Sequence, residues 1–328
     1  MKSIALALLN WNGKLLLERF LEGVINNSPE AVVYLIDNAS TDDSVPFVQE
    51  NFSKVKVIVL DQNYGYAGGY NKGLVGVKED LICLLNTDVS VERGWLPPII
   101  DHFKKHPKTA IAQPHIMDFN TPSKFEYAGA AGGFIDRLGY AYCRGRLFNE
   151  LEEDFGQYDV DKKIFWASGA CFFVRKTIFE SLEGFDEDFF AHMEEIDFCW
   201  RAFNQNQDVY SLYQSKVFHL GAGTLKLSPQ KTYLNFRNSL YLLLKNLPEK
   251  RIQRIFERMV WDGIAILFFI LQFKFSTAFA IIKAHFSFYN NRVSILKKQT
   301  EVRGFKDYYS EAHLPFRYFF LKRGISHR

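Results

Sequence analysis

Leu81–Leu85 is five apolar residues in a row, preceded by Lys78-Glu79-Asp80 and ending abruptly in Asn86-Thr87-Asp88. An unbroken apolar run of this length suits a strand covered on both faces, as in a parallel sheet flanked by helices. A carboxylate directly after such a strand stands at the carboxyl edge of the sheet, where open α/β folds bind ligands. Asp88 is therefore the first candidate for a functional residue.

The surrounding pattern repeats the theme. Ile4–Asn10 reads as a strand: its apolar run is too short, and Asn10-Trp11-Asn12-Gly13 too poor in small residues, for a cleaved signal peptide. A helix over Lys14–Asn26, strands over Ala31–Ile36 and Val55–Leu60, and a Gly-rich turn entering a helix over Gly65–Val77 precede the Leu81–Leu85 strand. Alternation at this pace predicts βαβ units and a Rossmann-like, mostly parallel sheet. Beyond it the sequence predicts a helix over Trp95–His106 and short strands and loops from Gln113 to about Lys163. A strand over Trp166–Arg175, a short helix over Lys176–Leu182, a helix over Glu194–Asn204 and a strand pair over Val209–His219 follow. Four widely spaced cysteines without Cys-x-x-Cys read as buried thiols in a reducing cytosol.

Composition, 48% apolar and 16% aromatic, excludes a disordered chain. The net charge of +3 hides an asymmetry: residues 1–230 carry 22 Lys/Arg against 31 Asp/Glu, and residues 231–328 carry 18 against 6. The division predicts two regions, a ligand-binding domain over 1–230 and a basic, aromatic, helical region over 231–328. Lys231–Leu247 has helical spacing and is closed by Pro248. Met259–Phe286 is strongly apolar, but its longest uncharged run is Gly263–Phe273, short of the roughly 20 residues that cross a bilayer. It reads as an interfacial helix with Arg251, Arg254, Arg258, Lys283 and Arg292 near anionic headgroups, or as a subdomain packed on the first domain.

Several stretches carry chemistry-bearing residues, each with a structural alternative. Asp37 opens the cluster Asn38-Ala39-Ser40-Thr41-Asp42; it suits a nucleobase N–H or ribose hydroxyl, and equally a turn or helix cap. The stretch Asn63-Tyr64-Gly65-Tyr66-Ala67-Gly68-Gly69-Tyr70-Asn71 brings backbone close either to an anion at a helix start or to a neighbouring element. It is not Gly-x-Gly-x-x-Gly and follows the third strand, which argues against a nicotinamide cofactor. Asp88 offers one carboxylate to Mg²⁺ or Mn²⁺, which takes one or two such groups plus substrate phosphates, or it caps the next turn. Glu194-Glu195-Ile196-Asp197 packs three carboxylates into four residues, as a poised general base or as an acidic helix N-terminus. His219, ahead of Gly221-Ala222-Gly223-Thr224, reads as a ligand beside a mobile lid or as a structural histidine.

Taken in order, Leu9–Gly13, Ile36–Asp42, Asn63–Gly69, Leu84–Asp88, Ser168-Gly169-Ala170, Gly184-Phe185-Asp186-Glu187, Glu194–Asp197 and His219, with Arg237-Asn238 after them, resemble one family. It is the inverting family 2 glycosyltransferases of the GT-A fold, most closely their rhamnosyltransferase-like members, and the resemblance covers about residues 3 to 245. It implies an α/β GT-A fold with a C-terminal helical appendage, and transfer of a sugar from a nucleoside-diphosphate-sugar to a glycan or lipid-linked acceptor in cell-surface polysaccharide synthesis. It further implies a cytoplasmic enzyme, peripheral on the inner membrane surface, with no nucleic-acid partner. Nucleotide-sugar contacts would come from Asn10, Asn12, Asp37, Asn63, Gly65, Gly68, Gly69, Asn71 and Asn86; Asp88 and His219 would hold Mg²⁺ or Mn²⁺. Two departures matter. Asn86 replaces the first Asp of the stricter metal motif, and Glu195 stands where Asp is frequent. The base is thus Glu195 or Asp197, with Glu194 beside them. The competing readings are nucleotidyl transfer, for which no phosphate-cradling loop follows the first strand, and a non-enzymatic membrane or nucleic-acid module built on the basic tail.

Overall fold

The computed structural model describes residues 3–221, 228–299 and 307–321. The chain opens with β1 (Ile4–Asn10), α1 (Lys14–Asn26), β2 (Ala31–Asp37), α2 (Ser44–Asn51), β3 (Lys56–Val59), α3 (Gly65–Gly73) and β4 (Leu81–Asn86). It continues through β5 (Val89–Val91), α4 (Leu96–Lys105) and β6 (Thr109–Asp118) into four short strands, β7 (Gly133–Ile135), β8 (Ala141–Cys143), β9 (Arg146–Leu147) and β10 (Glu150–Leu151). Next come β11 (Lys162–Ile164), β12 (Cys171–Arg175), α5 (Lys176–Ser181), α6 (Glu194–Asn204) and β13 (Asp208–His219). The tail holds α7 (Pro229–Asn246), α8 (Arg251–Leu271), α9 (Phe275–Lys297) and α10 (Leu314–Phe319).

Among the described residues the main sheet has nine strands in the order β11-β13-β6-β12-β4-β1-β2-β3, with β5 paired to β13. The half from β4 to β3 is parallel, as the βαβ pattern requires; β12 then inserts antiparallel between β4 and β6. Both faces of the central strands are covered. Ala5, Ala7, Ile82 and Leu84 join Tyr70, Phe172 and Phe198 on one side, while Leu6, Leu8, Cys83 and Leu85 join Leu17, Leu21, Trp95 and Phe103 on the other. That two-sided burial is the cause of the unalternated Leu81–Leu85 run. All four cysteines are buried free thiols.

Besides elements it did not name, such as α2, β5 and β6, the sequence pattern differs from the structure at three places. The strand expected from Trp166 begins only at Cys171, because Ser168–Gly169 turns beneath Tyr66, whose hydroxyl donates to the Gly169 carbonyl at 2.8 Å. Val209–His219 is one strand with a register shift between Leu212 and Lys216 rather than a pair. Met259–Phe286 is not one helix but spans the antiparallel α8 and α9. The break is a Schellman turn in which the Phe273 N–H donates to the Ile270 carbonyl and the Lys274 N–H to the Phe269 carbonyl. Phe273 takes the left-handed φ of 59° that glycine usually supplies, so no Gly or Pro marked it. Among the described residues no helix is long and apolar enough to cross a membrane.

The tail is tied to the sheet by charge. Ser228 caps α7 by accepting from the Lys231 N–H, with Pro229 in the first turn. At the far end of α7, Lys245 Nζ lies 2.9 Å from Asp197 and 2.8 Å from Asp186, and the Asn246 amide donates to Asp197 at 2.7 Å. Arg201 Nε adds a bond of 2.7 Å to Asp197, which is fully buried. A second buried carboxylate, Asp262 on α8, joins Arg258 at 2.8 Å, His285 of α9 at 3.1 Å and the Tyr140 hydroxyl at 3.3 Å. Burial would raise the Asp186 carboxyl, but Lys245 and Lys298 outweigh it and hold it down to about 2; Asp197 is lowered by Lys245 and Arg201 against the same burial.

Both carboxyls titrate below their unfolded value, roughly 3.9. The stability they confer is present above that value and is lost as pH falls from about 4 to about 2. Urea midpoints measured down this range should drop steeply in the native chain. Lys245→Met, which removes the cation shared by two buried carboxylates and leaves Asp197 to Arg201 and Asp186 to Lys298, should cost about 3 kcal/mol at pH 7; an unchanged midpoint would remove the ion-pair network from the account of stability.

Candidate active site

The parallel half of the sheet ends on a row of polar residues. Asn10 pairs with Asp37, and Leu9 with Asn86, so Asp37, Asn10 and Asn86 stand side by side at the carboxyl edge. Asp37 is buried and fully engaged: one oxygen accepts from the Asn10 amide (2.9 Å) and the Ser40 hydroxyl (2.6 Å), the other from the Ser40 N–H (2.9 Å). Asn12 is exposed, at a left-handed φ of 52°, and its side-chain oxygen accepts from the Thr41 N–H at 2.7 Å. These contacts lock the loop after β1 to the loop after β2.

The glycines of α3 serve packing. A Cβ on Gly69 would sit 2.8 Å from Leu9 and 3.1 Å from the Asn38 amide, and one on Gly68 would sit 2.9 Å from Tyr64. Only Gly65, at φ 70°, needs glycine's conformational freedom, and it faces Phe190. Asn63 accepts from the Asn38 amide at 3.0 Å and the Gly65 N–H at 2.8 Å. Asn71 grips the Phe185 backbone in both directions at 2.8 Å.

Asp88 and His219 are brought together by strand pairing. β5 follows Asp88 directly and runs antiparallel to the end of β13, with Val89 opposite His219 and the Leu220 N–H donating to the Asp88 carbonyl. His219 Nε2 lies 3.1 Å from Asp88 Oδ1, and both residues are buried. The other ring nitrogen lies 3.3 Å from Glu126, a buried carboxylate that the sequence reading missed. Burial alone would depress the imidazole; the carboxylates of Asp88 and Glu126 overcome it and push His219 up to about 10, so a cation that coordinates Nε2 must displace the proton held there. Glu126 carried no recognisable signal, because it sits in an irregular stretch and reaches the site through β6, with its N–H bonded to the Ile116 carbonyl. Residues 222–224 of the Gly-rich loop after His219 lie outside the described residues.

The three carboxylates at the start of α6 have separate fates. Asp197 is sequestered among Lys245, Arg201 and Asn246, with neither oxygen open to a substrate. Glu194 is buried, and burial together with the Glu195 charge raises its carboxyl far above the ordinary range. Glu195 is half-buried, and its Oε2 is a buried oxygen without a hydrogen-bond partner. Burial pushes it up to about 7 against the pull of backbone N–H groups at the helix start. The turn ahead of Glu194 is strained: Phe190, His192 and Met193 have φ of 63°, 68° and 73°, about 1–2 kcal/mol each for residues with a Cβ.

One carboxylate oxygen and one imidazole nitrogen, adjacent at a sheet edge, are a donor set that Mn²⁺ or Mg²⁺ accepts when phosphate oxygens complete it. Among the described residues no three His, Cys, Asp or Glu side chains are grouped as a metal site.

A family model for glycosyl transferase family 2 matches residues 7–183. The N-acetylglucosaminyl-diphospho-decaprenol L-rhamnosyltransferase of Mycobacterium tuberculosis is 24% identical over 247 residues, which is 70% of this chain and 79% of that one. Among solved structures, GalNAc-T7 with UDP, GalNAc and Mn²⁺ aligns with a TM-score of 0.58 at 17% identity, over 74% of this chain and 48% of its own. A mannosyltransferase from Pyrobaculum calidifontis, in complex with GDP-Man and Mn²⁺, aligns with a TM-score of 0.52 at 11% identity, over 87% and 86%. At such identities the structural likeness is one of fold.

Asp37 offers a test of what its cluster does in the unliganded chain. Asp37→Ala leaves the Ser40 N–H and the Asn10 amide without their acceptor and should lower stability by about 1–3 kcal/mol. Urea denaturation reads this directly, and a change within error would free Asp37 from any part in the turn.

Proposed function

The chain belongs to glycosyl transferase family 2, and from that premise we propose an inverting, single-displacement transfer in which Glu195 is the base and Asp88 and His219 hold the metal. The observation that carries the reading is the contrast along α6: Asp197 is neutralised by cations, while Glu195, two residues away, keeps a bare carboxylate oxygen raised to about 7. A group with that value is half ionised at neutral pH, where a general base works best. Glu195 takes the proton from an acceptor hydroxyl as its oxygen bonds to the anomeric carbon. The bond from that carbon to the diphosphate breaks on the opposite face, so the configuration inverts. Asp88 and His219 supply the donor set for Mn²⁺ or Mg²⁺, which when bound neutralises charge on the departing nucleoside diphosphate. Glu126, behind His219, fixes the ring as carboxylates commonly do for metal-binding histidines.

The donor is a nucleoside-diphosphate-sugar, with dTDP-rhamnose the first to test because the mycobacterial relative is named as a rhamnosyltransferase. That relative's name also motivates a lipid-linked acceptor in cell-surface polysaccharide synthesis, and hence work at the cytoplasmic face of a membrane. The tail supports such a location. Residues 263–299 contain no Asp or Glu but five Lys or Arg, and Phe268, Leu271, Phe273, Phe275 and Phe279 are exposed around the α8–α9 turn. An apolar tip with Lys274 in the turn itself suits an anionic bilayer surface.

Incubation with a nucleotide-sugar panel and Mn²⁺ should release nucleoside diphosphate from one donor, and EDTA should silence the reaction. Asp88→Ala and Glu195→Gln should each abolish transfer in a folded protein; unimpaired transfer in either sinks that residue's role. The rate should climb with pH through a limb near 7 as Glu195 loses its proton, and the limb should be missing from residual Glu195→Gln activity.

In flotation assays the chain should rise with phosphatidylglycerol vesicles and stay down with phosphatidylcholine ones. Phe273→Asp with Phe275→Asp should abolish binding; equal flotation of this double variant would relocate the contact.

A further inference from the structure

The turn over residues 189–193 has one backbone bond of its own, from the Ala191 N–H to the Phe189 carbonyl at 2.7 Å, set against three residues of unfavourable φ. Phe190, His192 and Met193 all sit in the left-handed region, which side chains with a Cβ occupy only when their surroundings over-determine it. The determinant is on the tail helix. Asn238 of α7 is fully buried, and its amide nitrogen lies 2.9, 3.0 and 2.7 Å from the carbonyl oxygens of Phe189, Ala191 and His192. Two N–H donors serving three acceptors must share at least one bond. The orientation of this amide is itself fixed, because its oxygen accepts from Arg237 Nε at 2.9 Å. Arg237 also donates to the carbonyls of Asp188 at 3.0 Å and Phe189 at 3.1 Å. On the opposite side the turn meets Gly65, where a Cβ would stand 3.1 Å from the Phe190 carbonyl.

We propose that Asn238, oriented by Arg237, is a positioning residue: it holds the 189–193 turn in its left-handed form and so aims Glu195 at the acceptor hydroxyl. This rests on Glu195 as the base. A residue that merely filled space here would be replaceable by a side chain of the same shape. A residue that acts by donating would not, since an isosteric carboxylate would put an acceptor oxygen where the amide nitrogen faces three carbonyl oxygens.

Asn238→Asp and Asn238→Ala are the variants, assayed with whichever donor of the nucleotide-sugar panel the native chain turns over. Misaiming a reacting group by about 1 Å costs on the order of 100-fold, so both should lose about that much in kcat while KM for the donor changes little. Amide hydrogen exchange should accelerate over 190–195 and stay slow in β1 and β4. Native-like turnover of Asn238→Asp, with 190–195 still protected, would overturn the proposal. If both variants unfold, Arg237→Gln decides: it should lower kcat and speed exchange in the same turn, and a native profile in both counts against the latch. Glu195→Gln in the same assay separates the two levels. Retained turnover there refutes the base, whereas the exchange result at 190–195 tests the latch alone.

Discussion

The fully buried carboxylate of Asp197 is the point on which the functional half of this chain hangs. Taking an ion out of water costs several kcal/mol, offset only when its partners are close and complete. Here they are: Lys245 and Asn246 from α7, and Arg201 from one turn along α6. Lys245 also neutralises Asp186 in the loop before α6. One cation thus binds α6, the loop that leads to it and the tail helix into a single body. The Arg201 guanidinium extends the hold by donating to the Leu182 and Gly184 carbonyls.

The same arrangement explains how neighbouring carboxylates acquire opposite chemistry. Residues two apart on a helix point to different sides. Asp197 turns into the cations and ionises readily. Glu195 turns away from them, toward Tyr66 and Cys143, both of which its charge reaches. Nothing there stabilises the ionised form except the backbone of the helix start. Glu194, deeper still and beside Glu195, has its carboxyl held far above the ordinary range by burial and by that neighbour. Three acids in four residues are tolerable because one is paired with cations and burial favours the neutral form of the other two.

Much of this was readable before any coordinates. The parallel half of the sheet announced itself because burial on both faces leaves an unbroken apolar run, and its carboxyl edge because each strand ends on Asn or Asp. What escaped was set by partners distant in sequence. β6 is as buried as β4, yet it is interrupted by Gln113, Pro114 and His115, whose environment comes from neighbouring segments. Glu126 becomes meaningful only when β6 and β13 align. The contrast between Glu195 and Asp197 is invisible without Lys245, which lies 48 residues from Asp197. The helix break at Phe273 used a phenylalanine where the usual signal is glycine. Gly68 and Gly69, which the family resemblance gives to donor contact, also lie where α3 packs closely on its neighbours.

The family match stops at residue 183, ahead of Glu194, Glu195, His219 and Asn238. The matched portion holds the sheet edge and Asp88, while the start of α6 and its partners lie beyond it. Asp197 with Lys245, and the left-handed turn with Asn238, are matched pairs divided between the catalytic core and the tail, so they must be inherited together. A tail exchanged for one without these partners would disturb the start of α6 without altering any residue of α6 itself.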